Sequence, residues 1–432
     1  MAIIGIQRAE FEATLKSVLS PTTPIRSPEQ LKGREKKLED IRRALVQPGR
    51  HIFIYGDRGV GKTSLAQTAA YEHQSSSRPP ILLACDPSTS FYRLVQDLAS
   101  RLLNMDPTIL RKTAQKKGGA SWVFSAEVQQ SIEHGQIPDL RTMNEAVAVT
   151  AYVAKLHSPQ PVAIIDEFER VQDPNERTLF ADFIKQIGDQ SINLKLLFCG
   201  VGSALDELLD AHHSCYRYLS AVQLERLGYQ PRLEIIDAAA NALGIVVEDT
   251  SRYRIAAISD GFPNYIHLIT EKLLWEVFDD DNEIQKTTPD HYVRAVKAAV
   301  LDIEPRLRAI YEKASLKYTD EYEAVLWAVA DHHELKRRST DIYESYRRLM
   351  DSRGLEPMAR EKFNTRMNLL KKPTHASILK GTRQGWYEFS EAVVRGYVRL
   401  RAEVRGVQLG IDHPLEYRAP TLWWTRDDCA SP

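Results

Sequence analysis

His51-Ile52-Phe53-Ile54-Tyr55-Gly56-Asp57-Arg58-Gly59-Val60-Gly61-Lys62-Thr63-Ser64 is the stretch that decides the fold. A short apolar run ends at a glycine loop, and a helical pattern follows from Thr63 to about Gln74. A short apolar run bounded by a turn signal reads as a buried strand. Gly56 to Thr63 satisfies G-x-x-x-x-G-K-[ST] at every fixed position. Glycines let the backbone curl so that its N–H groups face a phosphate. The following helix turns its positive end toward the same anion. Lys62 supplies a point charge for the β- and γ-phosphates, and Thr63 offers a hydroxyl to Mg²⁺. The nucleotide-binding residues expected from this stretch are Gly56, Asp57, Arg58, Gly59, Val60, Gly61, Lys62, Thr63 and Ser64.

Outward from this loop, further apolar runs occur at Ile81–Cys85, Pro161–Asp166, Leu194–Cys199 and Ala221–Leu224, with helical patterns between them. Strands alternating with helices predict an α/β fold, a parallel sheet covered on both faces. Asp166 and Glu167 end the third strand, and a parallel sheet gathers its ligand groups at strand carboxyl ends. Asp166 is expected to hold Mg²⁺ together with Thr63. Glu167 is expected to orient and deprotonate an attacking water. Leu31 to about Leu45 reads as a helix, whereas Ser20-Pro21, Pro24 and Ser27-Pro28 make residues 1–30 read as an extended arm.

The connection between the second and third strands is long, about 104–158. It carries Arg111-Lys112, Lys116-Lys117 and Trp122, and reads either as a solvated insertion or as a basic loop meeting nucleic acid or a neighbouring subunit. Beyond Gly228 the strands stop, and helical segments near Arg232–Leu243, Ser251–Ser259, Tyr265–Phe278 and Pro289–Leu301 predict a small helical domain. A third unit has apolar stripes at Tyr322/Val325/Leu326/Val329, Ile342/Tyr346/Leu349/Met350 and Phe363/Met367/Leu370. Two short strands are expected after it, Ala376–Lys380 and Trp386–Phe389. Three helices and such a hairpin make a winged helix. The expected divisions are 1–30, 31–227, 228–310, 315–405 and a tail at 406–432 holding Trp423-Trp424.

Lys and Arg total 57 against 58 Asp and Glu, a net charge of −1, so only a local patch argues for nucleic acid. Met358–Gly385 is such a patch, with seven Lys/Arg against Glu361. Lys371, Lys372 and Arg383 suit phosphates, and the amides of Asn364 and Asn368 suit base edges. A protein-contact surface is the alternative. The four cysteines are scattered, without a C-x-x-C pair, which fits a reducing cytosol and excludes a disulfide framework. Neither a signal peptide nor a run of about 20 apolar residues is present, so no membrane partner is expected.

On these motifs residues 28–405 resemble an AAA+ ATPase, of the group that contains origin-recognition initiators and the STAND signalling ATPases. Asp166-Glu167 resembles the Walker B pair. Gly33-Arg34-Glu35 is similar to the G-R-E element that packs near adenine, and Gly261-Phe262-Pro263 to the G-x-P element that contacts it. Arg217, in His213-Ser214-Cys215-Tyr216-Arg217-Tyr218, resembles the arginine finger that reaches the γ-phosphate of a neighbouring subunit; Arg226 competes for that role. The resemblance implies ATP and Mg²⁺ as ligands, a homo-oligomer or partner ATPase subunit, and a winged helix that binds DNA. After the fourth strand Phe198-Cys199-Gly200-Val201-Gly202 lacks the Asn, Thr or Arg of such proteins; Ser203 is the nearest candidate, and an arginine is also missing around Asn264–His267. That departure implies a slow switch as readily as a motor. A scaffold that binds ATP with little hydrolysis, and a small-molecule kinase, are the rival readings.

Overall fold

The computed structural model describes residues 6–74, 78–103, 132, 136–211, 213–315 and 320–409. The basic residues of the long connection and the paired tryptophans of the tail lie outside them. The chain divides into two compact units, residues 24–225 and residues 1–23 with 226–432.

The unit of residues 24–225 is built on five parallel strands: β1 (His51–Tyr55), β2 (Ile81–Ala84), β3 (Val162–Asp166), β4 (Lys195–Gly200) and β5 (Leu219–Gln223). Their order is β2-β3-β4-β1-β5, so β4 stands between β1 and β3. In register, Tyr55 faces Gly200 and Ile165 faces Phe198. β1, β3 and β4 are buried along almost their whole length, as continuous apolar strands with both faces covered must be. Phe53, Phe168 and Phe198 stack and meet edge to face at 5.2–6.0 Å, and Phe168 also meets Phe180. This cluster fills the core on one side of the sheet.

In the other unit the first helix, α1 (Arg8–Val18), is a departure from the extended arm that the prolines predicted. Those prolines begin only at Pro21, and upstream of them Phe11 and Leu15 recur at i, i+4 and are buried. Phe11 stacks on Phe278 at 4.2 Å and meets the edge of Trp275 at 4.8 Å. Four further helices of this unit are Tyr229–Ala242, Asp249–Ile258, Pro263–Phe278 and Pro289–Asp302. Thr288 opens the last of these with a capping box, its partner being His291. Helices Pro305–Ser315, Asp320–Ala330, Ser339–Ser352, Arg360–Leu369 and Ala392–Val404 follow.

Within that run lies a three-stranded antiparallel sheet of order β6-β8-β7: β6 (Arg337–Arg338), β7 (Leu379–Arg383) and β8 (Trp386–Phe389). β8 falls where the sequence placed it. β7 begins three residues later than expected, because Ala376 and Ser377 take left-handed backbone angles, φ 56° and 45°. β6 has two residues, too few to show a period. Among the described residues no helix is long and apolar enough to cross a membrane.

Candidate nucleotide site

β1 delivers the chain into the loop at Gly56, whose N–H donates to the Gly200 carbonyl at 3.3 Å. Gly56 has no room for a side chain: a Cβ there would stand 2.1 Å from the Leu224 carbonyl oxygen. Gly59 and Gly61 take φ of 85° and 96°, a region costly for other residues, so the loop can curl before the helix Lys62–His73. Asp57, Arg58 and Gly59 are exposed, and Val60 is buried as the loop's apolar anchor. Lys62 bends back on the loop, its Nζ donating to the carbonyls of Gly56 at 3.0 Å and Asp57 at 2.9 Å. Ser64 Oγ accepts from the Ile25 N–H at 3.2 Å, which pins the start of this helix from behind.

Thr63 Oγ1 donates to Asp166 Oδ2 at 2.6 Å, although 103 residues separate them. A hydroxyl and a carboxylate side by side at the mouth of a phosphate loop fit Mg²⁺, which takes one or two protein oxygens and completes its shell from phosphate and water. Asp166 is held by its second oxygen, which accepts from the Glu167 N–H at 2.9 Å. Glu167 adopts φ 55°, an uncommon angle for this residue, in the turn that buried Phe168 anchors. The turn leaves the Glu167 side chain 42% exposed, paired with Arg170 at 3.0 Å.

The other expected residues are placed as follows. Arg34 is buried, 7% exposed, and donates to the Val60 carbonyl at 3.1 Å and the Glu225 carbonyl at 2.6 Å. It braces the loop, and burial lowers its pKa to about 10. Gly33, φ 69°, makes the turn before it. Arg217 is exposed on the short turn ahead of β5. Arg226 lies in the other unit, ion-paired with Asp260 and bonded to the His333 carbonyl. Pro263 also belongs to that unit, where it opens the helix Pro263–Phe278.

Asp260, buried at 2%, was invisible to the sequence reading. Arg395 meets it through Nε at 2.9 Å and Nη2 at 3.0 Å, Arg399 at 3.3 Å, and Arg226 completes the ring. Burial alone would raise this carboxyl's pKa, but Arg395, Arg399, Arg226 and Arg232 pull it below the usual range. Asp260 and Gly261 have φ of 54° and 78°, and a Cβ on Gly261 would lie 2.7 Å from the Leu227 carbonyl oxygen.

In the basic patch, Lys362 and Arg366 pair with Glu321, and Lys380 faces Glu388 at 3.3 Å. Lys371, Lys372 and Arg383 make no ion pair among the described residues, and all three are exposed. Arg383 lies 4.1 Å and Arg338 5.1 Å from the Trp386 ring, and Lys371 5.3 Å from that of Tyr387. Asn368 is exposed, whereas Asn364 is half-buried and accepts from Ser339 Oγ at 3.2 Å.

A glycine loop feeding a helix, with a threonine hydrogen-bonded to a strand-end aspartate, defines a P-loop nucleotide-binding protein. Residues 30–197 match the family model for the AAA ATPase domain. Among solved structures, the chain is similar to a Walker-type ATPase of Pyrococcus abyssi at 16% identity and TM-score 0.52, over 87% of this chain and 98% of that one. It is also similar to the ORC2 protein of Aeropyrum pernix at 11% identity and TM-score 0.48, over 90% of this chain and 98% of that one. The Cdc6p protein of Pyrobaculum aerophilum gives 15% identity and TM-score 0.45, over 90% and 99%. A comparison with curated proteins finds no match.

Proposed function

We propose that this chain is a cytoplasmic, Mg²⁺-dependent ATPase whose nucleotide state gates assembly with further copies and binding to DNA. The observation that carries it is the 2.6 Å bond between Thr63 and Asp166, which brings both halves of a Mg²⁺–nucleotide site together. Mg²⁺ would neutralise phosphate charge there. The loop N–H groups and Lys62 hold the phosphates once Lys62 leaves the carbonyls of Gly56 and Asp57. Glu167 takes a proton from the attacking water. Arg217 acts on the γ-phosphate of a neighbouring copy, and Gly33 and Arg34 serve the adenine side. The ion pair of Glu167 with Arg170 favours a second reading, a scaffold that binds ATP and turns over little.

Lys62→Ala should abolish ATP binding and leave the fold intact, since the lysine is a charge for phosphate and not a core residue. Labelled-ATP binding within about twofold of wild type would defeat the site. Arg217→Ala should lower turnover at least about tenfold with little change in nucleotide affinity, because a finger acts on transition-state charge. Specific activity of the wild type should then rise with protein concentration. Turnover independent of concentration and unaltered in the variant would return Arg217 to an ordinary surface residue.

The sheet β6-β8-β7 and its helices form the winged helix of this reading. Lys371, Lys372 and Arg383 contact phosphate, and Asn364 and Asn368 read base edges. Changing the three cations to Ala should weaken duplex binding for any sequence and flatten the slope of log K against log salt by about 2–3. Asn368→Ala should reduce discrimination between sites and leave that slope nearly unchanged. Millimolar wild-type affinity at low salt, on duplex and single strands alike, would leave the wing as a protein-contact surface.

A further inference from the structure

A groove of about 680 Å³ opens within the unit of residues 1–23 and 226–432, between α1, residues 19–23 and the helix Pro263–Phe278. That size suits a small molecule or a few side chains. Leu15, Leu19 and Leu268, all buried, give it apolar walls, and Trp275 stands half-buried among them. Its charged residues are paired save two. Glu12 pairs with Arg8, and Lys272 with Asp302. Glu271, half-buried, makes no hydrogen bond or ion pair among the described residues, and neither does exposed Lys16. Burial raises the pKa of Glu271, and Lys272 opposes the rise. A carboxylate drawn out of water without a donor is costly, so it calls for a cation that comes with whatever fills the groove.

The chain carries a segment of matching chemistry. Trp423-Trp424-Thr425-Arg426-Asp427-Asp428 sets two indoles beside one guanidinium and two carboxylates. Indoles gain most from an apolar wall that leaves their N–H a way out, as a half-open groove does. Arg426 answers Glu271 in sign, and the two acids after it answer Lys16. The segment also reaches. Glu403 accepts from the Tyr292 hydroxyl at 2.7 Å. Tyr292 and Asp302, at the groove, stand about 15 Å apart on one helix. From Glu403 to Leu409 is at most about 20 Å of chain. Leu409 therefore lies within about 45 Å of the groove, side chains included, and the chain from Leu409 to Trp423 spans about 45–50 Å when extended.

We propose that the groove is the docking site of the chain's own tail: Trp423 and Trp424 fill the space along Leu15, Leu268 and Trp275, Arg426 pairs with Glu271, and the acids after it face Lys16. A tethered segment meets its site at an effective concentration of about millimolar. A contact with a Kd of about 0.1 mM between separate molecules thus keeps the groove mostly filled within one.

The test uses the full chain with a benzophenone maleimide on Cys429; Cys85, Cys199 and Cys215 are buried, which directs the label to the tail. Ultraviolet light should join the label to residues 12–23 or 268–275 of the same molecule, mapped by mass spectrometry on the monomer band. Glu271→Arg should lower the yield of those cross-links at least about fivefold, because a like charge replaces the pair. Adding Arg426→Glu to that variant should recover at least about half of the loss. Glu271→Gln, a milder change, should lower the yield about threefold. Trp423→Ala with Trp424→Ala should lower it at least about tenfold. The thermal transition should stay within about 4 °C of wild type throughout, which separates lost docking from misfolding. Cross-links scattered over the surface, or a yield that Glu271→Arg and Glu271→Gln both leave within about twofold, would overturn the proposal. Cross-links that join only separate molecules, rising with protein concentration, would give the groove to a second copy and overturn it equally.

Discussion

Glu167→Gln is expected to leave ATP binding unchanged and to slow turnover by at least about 10²-fold, the low end of what a positioned acid or base contributes. The amide preserves the shape of the side chain and its left-handed turn at φ 55°, so the variant isolates the loss of a proton acceptor. Phe168 anchors that turn irrespective of the charge on its neighbour. The amide also loses the ion pair with Arg170, but with the two side chains 44% and 42% exposed that pair contributes little. Phosphate release should therefore fall while binding of labelled ATP holds. Equal turnover in the two proteins would remove Glu167 from the reaction.

The second large effect is on stability. Asp260→Ala should destabilise the unit of residues 1–23 and 226–432 by about 3–5 kcal/mol, as expected when a buried pair loses one partner. Arg395, wholly buried, Arg399 and Arg226 would lose their shared anion. Three cations around one carboxylate are tolerable because the guanidinium groups also donate to carbonyls at helix ends. Arg399 bonds Ala257 at 3.0 Å and Ala330 at 2.9 Å, in the last turns of Asp249–Ile258 and Asp320–Ala330, where the helix dipole is negative. Arg395→Met should cost less, since Asp260 keeps two partners. The depressed pKa of Asp260 sets the sign with pH: its contribution is complete above the ordinary carboxyl pKa and is lost as acid protonates the folded form. Thermal unfolding followed by tryptophan fluorescence reads this. A change under about 1 kcal/mol for Asp260→Ala would show the ring to be dispensable.

Asp260 also marks where sequence reading stops. The five strands, the loop and the pair Asp166-Glu167 were legible because each is local: a run of apolar residues, a glycine spacing, a carboxylate at a strand end. β4 standing between β1 and β3 is not local, and only that order puts Gly200 beside Gly56. The likeness of Gly33-Arg34-Glu35 to a G-R-E element is legible in three consecutive residues, whereas the bond of the Arg34 guanidinium to the Glu225 carbonyl, 191 residues on, is not. The excess charge of the basic patch was legible, but the acids that answer Lys362, Arg366 and Lys380 lie outside the patch or on the facing strand. Helix Arg8–Val18 has no side-chain cap at Gln7, so its start carried no signal.

That helix sets an order in time. Phe11 packs on Phe278, and the whole unit of residues 24–225 lies between them in the chain. At a synthesis rate of about 5–20 residues per second, the N-terminal helix waits roughly 15–50 s for its partner. The inserted sheet can close on itself during that wait, while the apolar face of Phe11 and Leu15 stays uncovered. Removing the first 23 residues would reverse the exposure, baring Trp275 and Phe278 in the finished protein for its lifetime.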